Sequence, residues 1–185
     1  MRRFRRRGKQ LTAQLSPAEV GLLADLVRSY IALLDVPERA AEPKADPFAR
    51  WEAELSAEAA LDYDDPAIAR LFPAAFPDDP GASAEFRRLT QERQRAERVA
   101  AAEDVLADLA ETADGAYPLI VAVEDAPGWM KTMNALRLTL SVRLGIERAE
   151  DTAQFADLAA EDPRAFWFEV YEWLGFALET MLSAL

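Results

Sequence analysis

The strongest periodicity in the chain lies between residues 20 and 35. Leu23, Leu26, Val27, Tyr30, Ile31 and Leu34 recur at i, i+3, i+4, i+7, i+8 and i+11, the signature of a helix with one apolar face. Just before them, Ser16-Pro17-Ala18-Glu19 supplies a capping serine, a proline at the first helical position and a glutamate to close a capping box. The pattern predicts a helix over 17–35. Upstream the period falls to two: Leu11, Ala13 and Leu15 alternate with polar residues. This predicts an antiparallel β-hairpin in residues 1–15, with Arg3 to Arg6 as the first strand, Arg7-Gly8-Lys9 as the turn and Gln10 to Leu15 as the second. Phe4 falls on the face of Leu11.

Downstream, proline and aspartate set the punctuation. Residues 36–62 read as a variable loop or insert carrying Pro37, Pro43 and Pro47, in which Asp46-Pro47 can start a short helix with Phe48, Trp51 and Leu55 on one side. Asp65-Pro66 caps another short helix, ended by Leu71-Phe72-Pro73, and Phe76-Pro77-Asp78-Asp79-Pro80 turns into a helix through Phe86 and Leu89. Thr90 is placed to cap a longer helix running to about Thr112, with Val99, Ala102, Leu106 and Leu109 as its stripe. Leu119 to Val123 reads as a short strand beside the hairpin. Helix 126–144 carries Trp129, Met133, Leu136, Leu140 and Leu144, with Gly145 to stop it. Asp162-Pro163 opens a last helix over 162–185. The expected fold is mainly α: a single domain over 1–185, a helical bundle of about five to seven helices with a small N-terminal hairpin and a third short strand near 119–123.

Composition narrows the chemistry. The 185 residues contain no histidine and no cysteine, which removes thiol redox switches, Ser-His-Asp and Cys-His nucleophiles, and the usual zinc, copper and iron ligands. Carboxylates, the three lysines and the four tyrosines remain as acids or bases. The acidic clusters Asp62-Tyr63-Asp64-Asp65 and Asp78-Asp79 lack the alternation and the glycine of a calcium loop, and suit helix caps and turns. No phosphate-binding glycine motif occurs. The expectation is a protein that is not an enzyme and has no metal and no cofactor. No apolar run reaches membrane-spanning length, and Met1-Arg2-Arg3-Phe4-Arg5-Arg6-Arg7 leads into no apolar leader segment. The expected location is therefore the cytoplasm.

Charge is uneven. The net charge is −12, yet six of the 21 basic residues fall in the first nine positions, so residues 10–185 carry −18. The basic arm, Arg2, Arg3, Phe4, Arg5, Arg6 and Arg7, could contact nucleic acid, with Phe4 available for stacking. It could equally be an edge strand whose charges oppose aggregation. The acidic body repels phosphate and favours the edge-strand reading. Arg87, Arg88, Arg93, Arg95 and Arg98 are interleaved with Glu85, Glu92 and Glu97, with Arg88/Glu92 and Arg93/Glu97 at i,i+4, the pattern of a solvated helix face. Phe166, Trp167, Phe168, Tyr171, Trp173 and Phe176 crowd the last helix. It reads either as a central helix apolar nearly all round, or as one presenting Trp167, Phe168 and Tyr171 to a partner or a second copy. Asn134 and Arg137 interrupt the apolar helix before it, and the expectation there is structural hydrogen bonding.

Several ordered segments together resemble an actinobacterial domain family of unknown function that includes the AosR-like oxidative-stress transcriptional regulators. They are Arg2-Arg3-Phe4, Asp65 to Pro73, Phe76 to Pro80, Glu85-Phe86-Arg87-Arg88-Leu89-Thr90, Asn134-Ala135-Leu136-Arg137-Leu138, Arg143-Leu144-Gly145-Ile146 and Val170 to Gly175. The resemblance implies a cytoplasmic, non-enzymatic regulator. Its partners would be the transcription machinery, RNA polymerase with a sigma factor, or alternatively a Clp protease adaptor. The family's cysteine-pair redox sensor has no counterpart here, and Ala135 stands where the family pattern has an acidic residue. The combined expectation is a regulatory or adaptor protein acting through protein contacts at the arginine hairpin and the aromatic last helix.

Overall fold

The computed structural model describes residues 1–35, 61, 63–156, 158–159 and 161–185. The helix expected around Phe48, Trp51 and Leu55 lies outside the described residues.

Strands β1 (Arg5–Arg7) and β2 (Gln10–Ala13) form the hairpin, pairing Arg7 with Gln10 across a two-residue turn. Gly8 opens that turn at φ +63, a conformation glycine adopts without a side-chain penalty. Both strands are shorter than the alternation predicts, but the Arg2 N–H still donates to the Gln14 carbonyl at 3.0 Å. Strand β3 (Leu119–Ala122) completes an antiparallel sheet of order β1-β2-β3. Its register sets Val121 opposite Leu11 and Leu119 opposite Ala13, all four buried. A slip of one residue would turn these apolar groups to the outside, so the buried face fixes the pairing.

Helix α1 (Pro17–Leu34) begins as its sequence prescribes. The Glu19 N–H donates to Ser16 Oγ, and the Ser16 N–H donates to the Glu19 carboxylate at 2.7 Å. Asp65 caps α2 (Pro66–Leu71), Asp79 caps α3 (Pro80–Ala110) and Asp162 caps α5 (Pro163–Leu182) through backbone N–H groups. Thus two of the candidate acidic positions, Asp65 and Asp79, serve as caps. Helix α4 (Ala126–Leu144) ends at Gly145 with φ +70, as expected. A 3-10 helix (Ala149–Phe155), for which the pattern gave no sign, links α4 to α5.

One boundary differs from expectation. Thr90 caps nothing: α3 runs through it for 31 residues, and the Thr90 hydroxyl donates to the Phe86 carbonyl at 2.8 Å. No glycine or proline lies between 82 and 117 except Gly115, so nothing breaks the ladder, and a threonine inside a helix satisfies its hydroxyl against the preceding turn.

Every one of these elements except β1 supplies residues to one contiguous apolar core, within which Leu11, Val27, Leu34, Val105, Val121, Leu174 and Met181 are fully buried. Each such side chain contributes roughly 1.5–3 kcal/mol by leaving water. Among the described residues, no helix is long and apolar enough to cross a membrane, and no group of three acidic side chains could hold a metal ion.

Candidate functional site

The sequence singled out the arginine hairpin and the aromatic last helix, and the structure joins them only in part. Along α5 the buried stripe is Val170, Tyr171, Leu174, Ala177 and Met181, and it faces the core. Phe176, Thr180 and Ser183 follow at i, i+4 and i+7 on a different face, and this face meets the hairpin. Together with Glu179 and Ala184 they enclose, with Arg3, Phe4, Arg5 and Arg6, an open groove of about 610 Å³. Phe4 is buried beneath it, its N–H 3.5 Å from Thr180 Oγ1. Arg6 lies on the Leu11 face of the sheet, and its guanidinium donates to the Leu185 and Gly8 backbone oxygens.

This groove carries unneutralised positive charge. Arg2, Arg3, Arg5, Arg6 and Arg7 are all exposed, and none pairs with an Asp or Glu side chain among the described residues, Arg6 being engaged by the Leu185 oxygen. Phe176, 37% exposed, is the apolar floor beside them. The outer face of the sheet continues the surface, with Arg5, Thr12 and Ile120 in one cross-strand row.

Trp167 is elsewhere. Nine residues separate it from Phe176, which is about two and a half turns and places the two on opposite sides of α5, some 13 Å apart along the axis. Trp167, 39% exposed, instead borders an apolar cavity of about 460 Å³ formed with Leu26, Leu33, Leu140 and Arg143 of α1 and α4. Phe168 is engaged internally. It stacks on Phe155 (4.5 Å between centroids, 6° apart) and on Tyr171 (6.1 Å, 20°), and the Arg137 guanidinium lies over the Tyr171 ring at 4.3 Å. Tyr171 is therefore a buried link in a ladder that pins the 3-10 helix to α5. Of the three aromatic residues expected to meet a partner, only Trp167 lies at the surface.

Arg137 Nε and Trp173 Nε1 are buried without a hydrogen-bond partner, so Arg137 is held by stacking and not by the hydrogen bonding expected of it. Asn134, expected to be buried, is exposed. The arginine run on α3 also divides. Arg88 pairs with Glu85, Arg95 with Glu92 and Arg93 with Glu97, as a solvated face would, although Glu92 takes Arg95 where Arg88 was expected. Arg87 and Arg98 turn inward, over the rings of Tyr63 and Phe72, each at 4.8 Å. Sequence spacing gave no sign of this, because an arginine stacked on an aromatic and one in solvent share the same helical position.

Two groups at least partly buried titrate away from their ordinary values. Burial pushes the Asp108 carboxyl above its ordinary value against the hydrogen bond from Trp129 Nε1 (2.7 Å), and the neighbouring charges of Asp125, Asp104 and Glu111 push it further up. Burial likewise raises the Tyr30 hydroxyl against the opposing pull of Arg98. Neither group lies at the arginine groove.

No curated protein and no solved structure matches the chain. A family model described as "Domain of unknown function (DUF2017)" matches residues 1–185, and the chain belongs to that family.

Proposed function

We propose that this chain is a non-enzymatic regulatory or adaptor protein, and that the arginine groove binds an acidic protein segment bearing one apolar anchor. The observation that carries this reading is the row of exposed guanidinium groups with no Asp or Glu partner among the described residues, set against Phe176. A carboxylate-rich segment would neutralise the arginines, and guanidinium recognises carboxylate by paired hydrogen bonds. Phe176 would supply the apolar contact that such interfaces concentrate near their centre. The rest of the surface carries the opposite sign, so an acidic partner is steered to this edge.

The resemblance to the AosR-like regulators favours the transcription machinery, RNA polymerase with its sigma factor, as the source of that segment, with Clp proteolysis as the alternative assignment. Work of that kind belongs in the cytoplasm. Redox sensing through thiols is not part of the proposal, since the chain has no cysteine.

Purified RNA polymerase, sigma factors and Clp components, each titrated against the chain and against an Arg3→Glu/Arg5→Glu variant, test the reading. Binding by one of them that weakens at least tenfold in the variant, about 1.4 kcal/mol, is the expected result. Equal binding by both forms, or none to any component, overturns it. Labelled DNA and RNA form a further arm, and charge-dependent binding there alone would transfer the groove to nucleic acid.

A further inference from the structure

A second cavity, of about 270 Å³, opens between α1, α3 and α4 on the other side of Tyr30 from the Trp167 cavity. Its lining includes Tyr30, Glu97, Arg98, Lys131, Thr132 and Asn134. The volume suits a molecule of a few heavy atoms rather than a peptide.

Arg98 is the fixed point of this site. Its Nη2 donates to the Leu71 carbonyl at 3.0 Å, and its guanidinium lies 4.8 Å over the Phe72 ring. These contacts hold it in place while using few of its five N–H donors. No carboxylate pairs with it among the described residues, and the same is true of Lys131. Glu97, the acidic member of the lining, has a partner in Arg93 at 3.8 Å. Thr132 adds the second observation. It is only 2% exposed, yet its hydroxyl has no hydrogen-bond partner, although a threonine within a helix ordinarily donates to the preceding turn. A buried hydroxyl without a partner costs about 1–3 kcal/mol, and Thr132 is among the residues that line the cavity. Asn134 brings a side-chain amide that makes no hydrogen bond among the described residues. The Tyr30 hydroxyl adds a further polar group to the lining.

From this convergence of two unpaired cations with hydroxyl and amide donors we infer that the α1/α3/α4 cavity binds a small oxyanion, a carboxylate or a phosphate group, with Arg98 and Lys131 supplying the charge and Thr132 a buried donor. An acidic protein gains nothing from gathering unneutralised cations around a cavity. A bound anion satisfies them and gives Thr132 the acceptor it lacks.

Inorganic phosphate and succinate, each titrated at matched ionic strength against a sodium chloride control, test the assignment by chemical-shift mapping of the backbone amides. Saturable shifts centred on Lys131, Thr132 and Asn134 are expected. The tighter of the two probes identifies the ligand as phosphoryl or carboxyl. Lys131→Gln, at an exposed residue without a partner, should weaken binding roughly tenfold, and Thr132→Val should weaken it while leaving the thermal midpoint unchanged or raised. Shifts no larger than those with chloride, or variants that bind as the parent does, overturn the inference.

Discussion

Asp108 illustrates how little of a residue's role is written in its own neighbourhood along the chain. It reads as one more acid on a polar helix, yet Trp129 of α4 reaches back 21 positions to donate to it. Its folded-state affinity for a proton is raised, so the native state holds that proton more tightly than the unfolded chain. The contribution to stability is therefore greatest below the ordinary value of 3.8 and falls as pH rises through the raised one. Asp108→Asn keeps an acceptor for the indole and removes the charge repulsion. It should raise stability at neutral pH by on the order of 0.5 kcal/mol after allowance for solvent screening. The gain should vanish below pH 3.8, a difference that urea titrations at two pH values measure. Arg98 and Thr132 were illegible for a related reason. Spacing puts Arg98 in a charged run and Thr132 in an apolar helix, and only the packing of α1, α3 and α4 turns both towards one cavity.

Elements were far more legible, because their ends are decided by contacts within a few residues. Helices α1 and α4 lie within about a residue of their expected bounds, and α5 begins within one residue of its own but ends at Leu182, three residues early, for caps and glycine stops act locally. Where a boundary needed something other than a cap, the reading failed: a capping-type residue at position 90 sits inside a helix that nothing interrupts. Two left-handed glycines, Gly145 at the end of α4 and Gly115 in the turn between α3 and β3, separate local from non-local demands. At Gly145 a Cβ would meet nothing within 4 Å, so Gly145→Ala should cost only the backbone strain, about 1–2 kcal/mol. At Gly115, φ +82, a Cβ would stand 2.8 Å from the Leu15 carbonyl oxygen and 3.1 Å from Ser16, at the junction of β2 and α1. Gly115→Ala should therefore lower the thermal midpoint by a clearly larger amount, and paired melting curves of the two variants settle the order. The Asp162 cap of α5 has a pH limit of its own. Hydrogen bonds from the Arg164 side chain and its backbone N–H hold its carboxyl down to about 2, so the stability it lends is present above the ordinary carboxylate range and is lost as pH falls through that value.

At the scale of the whole molecule the sequence showed a helical chain with a basic arm on an acidic body, but not what the arm rests on. Alternation in residues 10–15 placed Leu11 and Ala13 inward, and the apolar run at 119–123 was legible as a third strand beside the hairpin; the fold adds that it pairs antiparallel with β2, and in which register. The two halves of the expected aromatic and arginine surface proved to lie on opposite sides of α5, since crowding in sequence says nothing of azimuth around a helix. The groove beside Phe176 has a further property that follows from its construction. Its walls are residues 3–6 and residues 176–184, and the contact between Phe4 and Thr180 spans 176 positions. Neither wall exists as a binding surface in a fragment, and local helix or hairpin formation during synthesis cannot create one. Recognition at this groove thus acts as a certificate of completed folding: a partner engages only chains whose distant segments have already met. In a denaturant series, loss of partner binding should coincide with the cooperative loss of near-ultraviolet signal from the buried Trp129, and a peptide of residues 1–15 should compete for nothing.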